Sequence, residues 1–171
     1  MIARRGFLLA LLTLTGLAFS TSVFGQATLT GTKPELLLLV TVAIAMTEGP
    51  GFGAVAGFVM GLMTDAVLQL PQGVSALTFT LVGYVVGRVR AHVQTPSAWL
   101  PIAMVTSATF AGVLAYAGFS LALGQVALAP SRVARAAVLA AVYNGLLTPF
   151  VYPLVRGLAT RTRPSAGEVL R

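Results

Sequence analysis

The chain has 171 residues, 57% of them hydrophobic and only 9% charged, with a mean hydropathy of +0.90. A water-soluble domain carries roughly 25% charged residues, so this composition excludes a soluble fold and points to an all-α, polytopic membrane helix bundle. The 11 Lys and Arg against 4 Asp and Glu give a formal charge of +7. These cations flank apolar runs, where they set topology and meet anionic membrane lipids; they do not form the basic stripe of a nucleic-acid binder. With no cysteine in the chain, disulfides, thiolate metal sites and cysteine nucleophiles are excluded.

Punctuation by Gly, Pro and charge divides the chain into six apolar segments, about six transmembrane helices. Met1-Ile2-Ala3-Arg4-Arg5 opens like a secretory signal, but the apolar run at residues 7–23 exceeds a usual signal core. Only the poor cleavage candidate Gly25-Gln26-Ala27 follows, so an uncleaved first helix is expected. The second segment starts behind Pro34 at Glu35-Leu36-Leu37-Leu38-Leu39 and ends at Glu48-Gly49-Pro50-Gly51. The third covers residues 52–70 and the fourth 74–87, followed by Arg88-Val89-Arg90-Ala91-His92. The fifth begins at Trp99-Leu100-Pro101 and runs to about residue 123; the sixth covers 133–155. The second and fourth are short against the roughly 20 apolar residues a span needs. They are open to being little tilted, set in a locally thinned bilayer, or held inside the bundle; the second and third could also form a re-entrant hairpin. Residues 1–157 are expected to form one transmembrane helical domain, and 158–171 a basic, disordered tail.

Orientation follows from the loop cations. With the N-terminus inside, Arg4, Arg5, Arg88, Arg90, Arg156, Arg161, Arg163 and Arg171 lie on the inner side, against Lys33, Arg132 and Arg135 outside. That bias predicts both termini in the cytoplasm, with Trp99, Phe150 and Tyr152 as interfacial anchors at the same face.

Small and polar residues carry the rest of the signal. Gly49, Gly53, Gly57 and Gly61 recur every fourth residue, and Asp65 takes the next step. Residues four apart share one helical face, so the third segment has a face bare of side chains that ends in a carboxyl group. Small-xxx-small faces let membrane helices approach closely, either within the bundle or against a partner protein. Asp65 inside a span costs on the order of 3 kcal/mol if it meets lipid. It is therefore expected to face inward, paired with Arg135 of the sixth segment or accepting from Thr, Tyr or backbone donors. Glu48 could meet Arg88. Asn144 is a buried polar bridge between helices, and Pro149 and Pro153 break or kink the sixth helix. The lone His92, without paired carboxylates, a phosphate-cradling loop or a ligand cluster, gives no catalytic constellation. Neither enzyme activity nor a cofactor or metal is expected.

Pro34-Glu35-Leu36-Leu37-Leu38-Leu39, the glycine series leading to Gly61-Leu62-Met63-Thr64-Asp65, then Pro71, Gly73 and Ala76-Leu77, Leu81-Val82-Gly83-Tyr84-Val85-Val86-Gly87 and Tyr143-Asn144-Gly145-Leu146-Leu147-Thr148-Pro149 resemble the rod shape-determining protein family MreD. The resemblance covers about residues 4–157, with Pro34-Glu35 where the family usually has Pro-Asp. It implies a non-enzymatic inner-membrane scaffold of the bacterial cell-elongation machinery. Such a scaffold would bind an MreC-type bitopic protein and, through it, MreB and the RodA–transpeptidase pair that builds side-wall peptidoglycan. It also implies a fold similar to the substrate-binding subunits of energy-coupling-factor transporters. That similarity supplies an alternative function, a vitamin-type binding subunit of an importer, in which Tyr84, Tyr116, Asn144 and Tyr152 would converge on a ligand.

Overall fold

A run of apolar residues with no polar face has no side on which to meet water, and either lipid or protein can surround it. In the computed structural model, which describes residues 35–68, 73–93, 97, 99–124 and 129–161, the second apolar segment is surrounded by protein. It forms α1 (Leu36–Glu48), and every residue from Leu36 to Met46 is buried. Leu38, Leu39, Val42, Ala43 and Ala45 have no exposure at all. Four helices surround it, namely α2 (Pro50–Leu68), α3 (Val74–His92), α4 (Leu100–Ala122) and α5 (Pro130–Arg161), and α1 touches each of them. Its 13 residues rise only about 20 Å, less than a hydrocarbon core, because protein and not lipid surrounds it. The described residues outside the helices are turns and short connections.

The chain turns from α1 into α2 at one residue. Gly49 has φ +92° and ψ −175°, a combination that only glycine holds without strain. Its N–H donates to Ala45 O at 3.1 Å, while its own carbonyl accepts from Gly53 N at 3.0 Å. Pro50 then occupies the first helical position, where its missing N–H has no helical acceptor to lose. The Thr41 hydroxyl meets the Leu37 carbonyl at 2.8 Å and the Met60 sulfur at 3.3 Å, so α2 runs back antiparallel along α1.

Among the described residues, three helices are long and apolar enough to cross a membrane: α3, α4 and residues Pro130–Ala159 of α5. The fourth apolar segment, expected to stop at residue 87, continues as helix to His92, because its basic residues finish the helix instead of leaving it. Cations suit the negative end of a helix. Arg90 Nη1 donates to Val93 O at 2.6 Å, and His92 Nδ1 lies 2.8 Å from Arg88 O. Nor do Pro149 and Pro153 break the last helix, since α5 runs through both. Large apolar side chains on α2 to α5 point outward, among them Phe58, Leu81, Leu114 and Leu146. The first apolar segment, residues 7–23, and the tail beyond residue 161 lie outside the described residues.

Candidate functional site: a glycine-paved helix pair and its polar clasp

Glycines at four-residue spacing fall on one side of α2, and that side is buried against α3. A Cβ on Gly53 would sit 2.6 Å from the Gly83 carbonyl oxygen and 2.6 Å from Ala45 Cβ. On Gly57 it would collide with the Phe79 carbonyl and lie 2.8 Å from Thr80 N; on Gly61 it would lie 2.5 Å from Ala76 N. The facing helix answers in kind. A Cβ on Gly83 would come within 2.7 Å of Gly53 C, and one on Gly87 within 2.5 Å of Pro50 Cα. The contacts pair Pro50 with Gly87, Gly53 with Gly83, Gly57 with Phe79 and Gly61 with Ala76, an antiparallel register held over the length of both helices. Of the two readings left open by spacing, internal packing is the one realised, and backbone fills the bare face. Gly49 stands apart from this series: nothing lies within 4 Å of where its Cβ would be, and its role is the turn. Gly83 and Gly87, four residues apart, are the half of the interface that sequence reasoning overlooked, although their spacing is the same signal.

Asp65 ends the series as a clasp. It is 1% exposed. Its Oδ2 accepts from Gly73 N at 2.7 Å and Ala76 N at 3.5 Å, and its Oδ1 from Ser75 N at 3.2 Å. These N–H groups belong to the start of α3, where a helix leaves its first donors without internal partners and where an acidic side chain also suits the dipole. Gly73, with φ +105°, supplies the left-handed residue that turns its N–H toward the carboxyl group. One acidic side chain on α2 thus caps its neighbour and closes the far end of the pair. The expected Asp65–Arg135 pair is not formed. Backbone donors held eight to eleven residues away in the chain engage the carboxyl, while Arg135 sits exposed near the start of α5. Glu48 and Arg88 do not pair either; Arg88 is exposed, and Glu48 Oε1 is buried with no partner among the described residues.

Asn144 does bridge helices. Fully buried, it donates through Nδ2 to the Glu35 carbonyl at 3.1 Å and to Thr109 Oγ1 at 3.1 Å, joining α5 to the start of α1 and to α4. Thr148 Oγ1 returns a 2.7 Å bond to the Asn144 carbonyl one turn back. The rings of Pro149 and Pro153 lie on the exposed side of α5 and in the wall of a cavity at the end of the bundle where α3 finishes and α4 starts. Of the tyrosines named for a ligand pocket, Tyr84 and Tyr152 do not converge with Asn144. Tyr84 faces outward from α3, Tyr116 lies half-buried toward the far end of α4, and Tyr152 lines that cavity. Chemically, the polar side chains at this site hold backbone to backbone.

The family model described as rod shape-determining protein MreD matches residues 2–158. The chain belongs to the MreD family. The matched range takes in the glycine pair, the Asp65 clasp and the Asn144 bridge. No curated protein and no solved structure matches the chain. As a member of this family the chain is a rod-shape-determining bacterial membrane protein.

Proposed function

We propose that this MreD-family chain is a non-enzymatic scaffold of the cell-elongation machinery in the bacterial inner membrane. In this role it holds the single transmembrane helix of an MreC-type partner and, through that partner, supports side-wall peptidoglycan synthesis by MreB and a RodA–transpeptidase pair. The observation that carries the reading is a contrast on the surface. The glycine face is used inside the bundle, whereas α5 presents Val138, Val142, Leu146, Phe150 and Leu154 outward at every fourth position. An apolar ridge of this kind suits a second helix laid along it. Residues 7–23 supply a sixth helix in this reading. Both termini lie in the cytoplasm on the strength of the basic-residue count, with residues 158–171 as a basic tail whose first four residues finish α5. A fold like that of energy-coupling-factor substrate-binding subunits belongs to the same proposal. Their vitamin-binding function is the weaker reading, because Tyr84, Asn144 and Tyr152 point to different places.

Since the chain has no cysteine, single-cysteine scanning is clean. Leu146→Cys and Phe150→Cys should crosslink to a cysteine placed in the MreC-type transmembrane helix, while Leu81→Cys on α3 should not. Crosslinking from Leu81→Cys alone would move the partner to another face. Co-purification with a vitamin-transporter ATPase in place of wall-synthesis proteins would overturn the scaffold reading.

A further inference from the structure

Where α3 ends and α4 begins, the bundle leaves a cavity of about 660 Å³. Met46 at the end of α1, Arg90 of α3, the first turn of α4 and the stretch of α5 from Thr148 to Ala159 enclose it. Its volume falls within the range of about 300–1,000 Å³ typical of small-ligand sites, and its lining is chemically mixed. Leu100, Ile102, Pro149 and Pro153 supply apolar surface, and Arg90, Arg156 and the hydroxyls of Ser97 and Tyr152 supply polar groups. Among the described residues, no acidic side chain lines it and neither arginine has a carboxylate partner. Arg90 places one Nη1 hydrogen on the Val93 carbonyl at 2.6 Å, which holds its guanidinium in position. The first turn of α4 has no side-chain cap, so the positive end of a 23-residue helix adds to the same field. Two guanidinium groups lining one cavity at a membrane boundary, neither of them salt-bridged among the described residues, favour a phosphate, which their planar donor sets match.

We propose that this cavity binds the phosphate-bearing headgroup of an anionic lipid, with Arg90 and Arg156 on the phosphate and the acyl chain against the prolines. The apolar part of the lining favours a lipid over soluble phosphate. So does the setting: Trp99, immediately before Leu100, is 76% exposed, and Phe150 is 77% exposed, as suits aromatic residues at a membrane interface. Arg88, two residues from Arg90, is exposed and does not line the cavity, so it serves as a matched control for bulk charge. The site rests on the membrane setting alone, and loss of the partner-helix reading would leave it untouched.

Trp99 is the only tryptophan and acts as a built-in reporter. The full chain would be placed in phosphatidylcholine nanodiscs containing either brominated phosphatidylglycerol or brominated phosphatidylcholine. Phosphatidylglycerol should quench Trp99 at roughly tenfold lower mole fraction. This preference should fall below about twofold in Arg90→Gln/Arg156→Gln and persist in Arg88→Gln. Equal quenching by the two lipids, or an equal loss in Arg88→Gln, overturns the site. Relief of quenching by inorganic phosphate at constant ionic strength reassigns it to a soluble phosphate and overturns the lipid. Should the double variant fail to fold, the exposed Arg156→Gln alone and native mass spectrometry of the unmodified chain decide. Retained phosphatidylglycerol in preference to phosphatidylcholine supports the proposal, and no preference refutes it.

Discussion

Along α2 and α3 the two backbones meet wherever glycine recurs, whereas along α4 and α5 side chains hold the helices together. Both pairs are antiparallel. In the first, the atoms that would meet a new Cβ are carbonyls and amides, as at Gly53, Gly57, Gly61 and Gly83, and backbone cannot swing aside. In the second, Gly145 faces only the hydroxyl of Thr106, at 2.6 Å from its would-be Cβ, and Asn144 reaches Thr109 through a side-chain bond. Glycine is therefore structural in both pairs but unequally so. What matters is whether the obstacle can move.

That inequality can be broken by substitution, with stability read as the apparent melting temperature of the detergent-solubilised chain. Gly57→Leu should be the most damaging change. It forces a branched side chain into the Phe79–Thr80 backbone and should cost about 3 kcal/mol or more, enough to abolish a monodisperse fold; normal melting would mean that α2 and α3 are not apposed. Asp65→Ala comes next, at about 2–3 kcal/mol, because it leaves the start of α3 uncapped and removes hydrogen bonds to an acidic group. Asp65→Asn should recover part of that loss, since it keeps an acceptor. Gly145→Ala should cost about 1 kcal/mol, the Thr106 side chain turning away to admit the methyl. Gly118→Ala on α4, with nothing within 4 Å of its Cβ position, and Arg135→Gln should each stay within about 0.5 kcal/mol of the parent. A large loss in Arg135→Gln would restore the Asp65–Arg135 pair that the geometry lacks.

Much of the architecture was legible from local pattern. The second apolar segment ends where it was expected, at Glu48, because Gly-Pro punctuation acts on the residues beside it. The fourth and sixth segments ran further than expected, to His92 and Arg161. Hydropathy marks where apolar residues stop, but a helix continues through arginines whose side chains reach the interface. At the candidate site, the four-residue recurrence of glycine and the inward placement of Asp65 were both visible. The helix that faces the glycines was not, and for Asp65 backbone donors stood as an open alternative beside Arg135.

By itself, the sequence determined that this is a helical membrane protein, that one face of α2 is bare, and that Asn144 and Asp65 need partners. Composition and periodicity are properties of single segments. Only the tertiary structure decided that α1 is the central helix, since an all-apolar helix reads the same whether lipid or protein surrounds it. It alone also assigned the glycine face to Gly83 and Gly87, Asp65 to three backbone amides instead of Arg135, and Arg90 and Arg156 to one cavity. These choices depend on the rotation and register of helices against one another. That geometry is settled by contacts between residues far apart in the chain.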